Sequence, residues 1–162
     1  STWARGLPGV LFVAAEANAS LGVEPVACGD DHLRGMCCKT VAAIRMALER
    51  FPSARWLVRA VDDTFVFVRN LERELEAYNP AALLYLGAAS VSLLCHFRLH
   101  AASCAEAHAG GGAGVVLSRP LAELLVRHAR AFLANCSHDD VHLGHFLRHA
   151  FDVHVTDLPG AL

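Results

Sequence analysis

The chain has 162 residues, 54% of them hydrophobic, and a formal net charge of −2 with histidine neutral. Length and apolar content fit one domain with a real core and exclude intrinsic disorder, and the near-balanced charge argues against a nucleic-acid binder, which carries a basic excess or stripe. No apolar run suffices to cross a membrane: residues 81–94 and 114–125 are too short or are broken by Ser118, Arg119 and Pro120.

In chain order, residues 9–15 (GVLFVAA) read as a short buried strand and residues 22–26 as a second, ending near Cys28. Gly29-Asp30-Asp31 is a turn or helix start. Over residues 36–51 the apolar positions Val41, Ile44, Ala47 and Leu48 fall at helical spacing, and Pro52 closes that helix. Residues 56–68 (WLVRAVDDTFVFV) read as a buried strand that stops on Asp62-Asp63 and restarts as a second apolar run. A short helix over about 71–78 follows, with Asn70 as its cap and Glu72 and Glu74 near its positive end. Residues 82–87 (ALLYLG) read as a strand, and 91–99 as a strand in a hairpin bridged by Cys95 and Cys104. A glycine loop over 109–114 leads through residues 115–117 into a helix capped by Ser118, with Pro120 in its first turn, running to about 134. Asp139 and Asp140 start a last helix to about 150, and 153–155 read as a final strand. Strands alternating with helices at these lengths make an α/β domain.

Three clusters carry candidate chemistry. Asp62-Asp63 sits where open α/β sheets bind ligands, so it reads as a cation or phosphate site; the competing reading is a solvated turn, and the residues alone leave both open. The glycines from Gly110 to Gly114 let backbone approach a ligand closely, but they lack nucleotide-loop spacing and, taken alone, read as a tight loop. His138-Asp139-Asp140 offers a general base, against the simpler reading of a carboxylate at a helix start. His138, His142, His145 and His149 share one helical face, which reads as a solvated histidine-rich flank in preference to a zinc site. The six cysteines include no CxxC pair and suit disulfides in a secretory protein, with Cys28–Cys38 and Cys95–Cys104 as local candidates. Asn18-Ala-Ser20 and Asn135-Cys-Ser137 match glycosylation acceptor triplets. Ser1 is not a start residue and no signal peptide is visible, so the chain reads as a piece of a longer one.

In order along the chain stand Thr2-Trp3, Cys28 with Cys38-Lys39, residues 56–66, Leu84-Tyr85-Leu86-Gly87, Gly111-Gly112-Ala113-Gly114 with Leu117-Ser118, and Asp139-Asp140 with Leu143-Gly144. This series resembles the fringe-like family of β1,3-glycosyltransferases, which includes the fringe N-acetylglucosaminyltransferases and the core 1 galactosyltransferase. The resemblance spans nearly the whole chain. It implies a GT-A (Rossmann-like) fold, a mixed and mostly parallel sheet flanked by helices. A single domain over residues 1–162 would lack its first strand and its C-terminal end. It also implies a Cys28–Cys38 disulfide.

The implied activity is inverting transfer of a sugar from a UDP-sugar, with Mn²⁺, to the hydroxyl of a glycan or glycoprotein acceptor. By the same resemblance, Asp63 matches the metal-binding last Asp of a DxD motif and Asp62 its middle residue. Gly111, Gly112, Ala113 and Gly114 match the loop lining the site, and Asp140 matches the catalytic base. The implied setting is the Golgi or secretory-pathway lumen, as a type II membrane protein anchored outside this segment. Val61 stands where the motif's first Asp falls, Glu16 where an Asp-Gly is expected, and the family's metal-binding His is expected near or beyond Leu162. Val61 motivates the alternative of a catalytically degenerate fold that binds a glycan or a protein. A metal-dependent hydrolase using Asp62-Asp63 is a further, unrelated reading.

Overall fold

The structure is a computed structural model that describes residues 3–4, 6–29, 33–91 and 107–158. Among these residues the main sheet holds four strands in the order β3 (Trp56–Arg59), β7 (Val115–Ser118), β4 (Tyr85–Gly87), β8 (Val155–Asp157). Strand β7 is buried along its whole length, and alternate side chains serve two cores. Val115 and Leu117 face one apolar cluster together with Tyr85, and Val116 faces the other together with Leu86. A strand buried on both faces shows no polar alternation, which is why the sequence read residues 115–117 as a mere lead into a helix.

The first cluster is covered by α1 (Leu33–Arg50), α3 (Arg119–Arg127), α4 (Ala129–Ala134) and α5 (Asp139–Phe151). Helix α1 contributes Cys37, Val41 and Ile44, spaced three to four residues apart as one buried stripe requires. The opposite face of the sheet receives Leu71 and Leu75 of α2 (Val68–Leu75) with Val66 and Leu158. Strands β1 (Phe12–Ala14) and β2 (Val23–Pro25) form a separate parallel pair, and β5 (Ala89–Val91) pairs antiparallel with β6 (Ala107–Ala109). Among the described residues no helix is long and apolar enough to cross a membrane.

Mixed α/β architecture is as expected, but the sheet is less parallel than the resemblance implied. Strand β8 lies parallel to β4, whereas β7 runs antiparallel to both β3 and β4. Three helices lie between β7 and β8, whereas β7 is entered from β6 through the short glycine turn over residues 111–113.

Other boundaries also move. Helix α2 begins at Val68, with Phe67 at its N-cap; Asn70 lies inside it and accepts from Arg73 Nη2 at 3.2 Å. Ser118 precedes α3 without capping it by side chain. Its hydroxyl oxygen instead accepts from the Leu84 N–H at 3.0 Å, tying β7 to the entry of β4. The long helix expected over 118–134 breaks at His128 into α3 and α4, which lets Phe132 bury completely against the first core. The Cys28–Cys38 disulfide forms as expected. A second bridge, Cys37–Cys136, joins α1 to the segment just before α5; no local cue marks it, because its cysteines are 99 residues apart. The proposed Cys95–Cys104 hairpin lies outside the described residues.

Candidate functional site

The apolar run of residues 56–68 does not continue as strand to the acidic pair. Strand β3 ends at Arg59, and the chain then makes a turn in which the Thr64 N–H donates to the Val61 carbonyl at 3.1 Å. The Val61 N–H returns a bond to Thr64 Oγ1 at 3.3 Å. Asp62 and Asp63 occupy the tip of this turn and are exposed, so no burial penalty weighs on them. The half-buried Val61 side chain sits at the root of the turn, and Phe65 and Phe67 project outward beyond it as an edge-on pair with centroids 4.9 Å apart. The second apolar run is therefore a loop that leads into α2, and only Val66 of residues 65–67 enters the core.

Thr64 is buried and anchors the turn in two directions. Its backbone carbonyl accepts from Trp3 Nε1 at 2.7 Å, and its hydroxyl donates to the Gly112 carbonyl at 2.8 Å. That second bond ties the acidic turn to the glycine loop. The loop is a 3₁₀ turn over Gly111–Ala113, closed by the Gly114 N–H donating to the Gly111 carbonyl at 3.2 Å. Gly114 exits with φ of 92°, a left-handed conformation that favours glycine. Gly111 is required for a different reason. A Cβ there would lie 3.1 Å from Asp140 Oδ2, 3.2 Å from Arg59 Nη1 and 3.2 Å from Asp140 Cβ.

Gly111 in turn donates its N–H to Asp140 Oδ2 at 3.0 Å, while Asp140 Oδ1 accepts from the Val141 N–H at 2.7 Å. Asp139 and Asp140 are the first two residues of α5, where the helix dipole favours negative charge. Neither is its N-cap; His138 holds that position without a side-chain capping bond. Asp139 turns the other way, accepting at Oδ2 from Thr40 Oγ1 at 2.9 Å and from Arg59 Nη2. The Arg59 and Asp139 side chains are only 14% and 12% exposed, so this is a largely buried ion pair. Beneath them Tyr85 is fully buried, its hydroxyl oxygen accepting from the Ala109 N–H at 2.7 Å. Burial pushes the Tyr85 phenol far above its ordinary range, and the nearby Asp140 carboxylate pushes the same way, so it stays protonated.

The fold thus brings the three sequence clusters together. Asp62-Asp63 connects through Thr64 to Gly112, and Gly111 connects to Asp140. Sequence reasoning missed Thr64, Arg59 and Thr40. Arg59 did carry a signal: a cation inside an apolar run needs a buried partner. Thr40 gave none, because its role depends on where α1 lies relative to α5.

The histidine face of α5 is only partly the solvated flank expected. His142 packs between Phe132 and Phe146, with Nε2 2.9 Å from the Phe132 carbonyl. His138 and His149 are exposed, and the His149 ring lies 4.3 Å from that of the half-buried His145. Among the described residues no group of three or more His, Cys, Asp or Glu side chains is placed to hold a metal ion. Asp62 and Asp63 nevertheless fit a hard divalent cation that takes most of its ligands from a diphosphate. Such ions commonly use only one or two protein carboxylates, and these two are exposed.

A family model described as Fringe-like matches residues 15–160 of the chain. The chain is also similar to the Fringe glycosyltransferase of Drosophila melanogaster, with 30% identity over 142 residues, covering 80% of this chain and 34% of that protein. It therefore spans about a third of the length of that curated relative.

Proposed function

This chain belongs to the Fringe-like family, and on that premise we propose that it forms the core of an inverting β1,3-glycosyltransferase. The proposed reaction moves a sugar from a UDP-sugar to a hydroxyl of a glycan or glycoprotein. The observation that carries the reading is the run of bonds Thr64–Gly112 and Gly111–Asp140, which joins a candidate diphosphate end to a candidate base.

The roles follow from the chemistry of each group. Asp140 is the general base: it takes the proton of the acceptor hydroxyl as that oxygen bonds to the anomeric carbon. The bond from that carbon to the diphosphate breaks on the opposite face, UDP departs with the bonding pair, and the configuration inverts. Two backbone N–H donors, from Gly111 and Val141, orient the Asp140 carboxylate and leave further lone pairs for the acceptor. The turn over Gly111–Ala113 presents backbone without side-chain bulk at the exposed Gly112, which suits close approach of the donor. Asp63, with Asp62 beside it, would hold Mn²⁺, whose chemistry there is neutralisation of charge on the leaving diphosphate. Tyr85 takes no part in proton transfer, being buried and protonated. The two disulfides support an oxidising compartment, and the Golgi or secretory lumen is the proposed location.

The test is UDP release from UDP-GlcNAc, UDP-galactose and UDP-glucose with Mn²⁺, compared with the same reaction under chelation. Asp140→Asn should lower turnover by about 10²–10⁴-fold, the usual contribution of a positioned base, and Asp63→Ala should abolish the response to Mn²⁺. Wild-type turnover in both variants would sink the assignment. Absence of Mn²⁺-dependent UDP binding by calorimetry would instead favour a degenerate, glycan- or protein-binding fold, with Val61 as its cause.

A further inference from the structure

We infer that Arg59 and Thr40 are positioning residues for Asp140, acting through Asp139; the inference rests on the reading of Asp140 as the base. Asp139 and Asp140 are successive residues in the first turn of α5. Neighbours on a helix point roughly 100° apart, so anchoring the backbone at one sets the Cα–Cβ direction of the next. Asp139 is held from two separate elements, by Thr40 of α1 and by Arg59 at the end of β3. The Cys37–Cys136 bridge joins the same two parts of the chain, one helical turn before Thr40 and three residues before Asp139. The start of α5 is therefore fixed covalently on one side and by an ion pair on the other.

Arg59 also reaches toward the partner of Asp140. Its Nη1 lies 3.2 Å from the point where a Cβ on Gly111 would stand, so the guanidinium fills the space beneath the glycine turn. The fork of Arg59 thus braces two things at once, the Asp139 carboxylate and the backbone that donates to Asp140. Lysine has a single ammonium and cannot span both positions. A buried ion pair contributes little net stability once its desolvation is counted, and specifying one arrangement is the role left to it.

A purely structural ion pair and a positioning one differ in what they move. The measurement is residue-resolved amide hydrogen exchange on the full chain, wild type against Thr40→Val and Arg59→Lys. Positioning predicts that the Gly111 amide, whose acceptor is Asp140, exchanges roughly tenfold faster or more in each variant. The amides of β7 should keep their wild-type protection. With UDP-GlcNAc, UDP-galactose or UDP-glucose as donor, kcat should fall about tenfold or more while the donor KM holds, because orientation is lost and binding is not. Unchanged Gly111 exchange, or equal acceleration across β7, overturns the inference. The conservative Thr40→Val change keeps the test open should Arg59→Lys fold poorly. Asp140→Asn is read in parallel. If it retains turnover, the base reading fails whatever Gly111 does; if it loses turnover while Thr40→Val and Arg59→Lys keep kcat and Gly111 protection, only the positioning inference fails.

Discussion

Replacing Gly111 by alanine tests the site at its tightest point. The new Cβ would stand 3.1 Å from Asp140 Oδ2, 3.2 Å from Arg59 Nη1 and 3.2 Å from Asp140 Cβ, inside ordinary van der Waals contact with two side chains. None of these neighbours gives way easily. Asp140 is held by two backbone donors, and Arg59 is held by Asp139. Relief therefore requires the carboxylate to move by a few tenths of an ångström. Overpacking of this kind destabilises by about 1–3 kcal/mol. Loss of backbone freedom in the unfolded chain returns about 0.4–1 kcal/mol. The net cost is about 0–2.6 kcal/mol, a fall of up to roughly 10 °C in melting temperature for a domain of this size. Turnover should suffer more. A misplacement of about 1 Å costs on the order of 10²-fold, so a smaller shift of the base should cost roughly tenfold. The assay is UDP release at saturating UDP-sugar, with a thermal melt alongside. Gly112→Ala is the control, because a Cβ there meets nothing within 4 Å and its φ is not positive. It should melt at or slightly above the wild-type temperature. If Gly111→Ala turns over at the wild-type rate, Asp140 is not clasped by the glycine turn in the working protein, and the proposed site geometry is wrong.

Gly144→Ala should destabilise by about 2–3 kcal/mol, seen as a lower urea midpoint, because its Cβ would stand 2.5 Å from His108 Cβ and 3.1 Å from His108 Cα. Those atoms are the root of a side chain and backbone, so α5 must lift from β6. Removing Cys37–Cys136 by paired alanines frees a loop closed across 99 residues, against 10 for Cys28–Cys38. On the chain-entropy relation the losses are about 5 and 3 kcal/mol, so denaturant titration should rank the first variant as the less stable. Acid should weaken the packing of α4 on α5. Burial lowers the His142 pKa below its ordinary 6.5; the Phe132 carbonyl opposes this and His145 adds to it. A base whose folded pKa is depressed contributes stability that is present above 6.5 and lost as pH falls through the lower folded value. His142→Gln should therefore flatten the dependence of melting temperature on pH below 6.5, and an unchanged slope would refute that role for His142.

Much of this protein was legible in short stretches. The apolar spacing of Val41 and Ile44 located α1, Asp139 marked the start of α5, and the ordered motifs from Trp3 to Gly144 gave the family. These are local signals: helical phase, caps, and residue types a site chemistry requires. Glycines at 87, 111 and 144 were visible as motif letters, but their purpose was not. Each sits where another segment comes too close for a Cβ, at Ala109, Asp140 and His108 respectively.

What the sequence by itself determined was an α/β chain with three polar clusters of one recognisable kind. The tertiary structure alone decided that β7 is a central strand running against its neighbours, because a strand buried on both faces has no alternation to read. It alone decided that Asp62-Asp63 is an exposed turn held to the glycine loop by Thr64, and that Asp139 is bound by Arg59 and Thr40 while Asp140 is left to Gly111. Those assignments depend on contacts between residues 29 to 99 positions apart. No local pattern encodes them, since they arise only when the sheet and α1 fix where the start of α5 can lie.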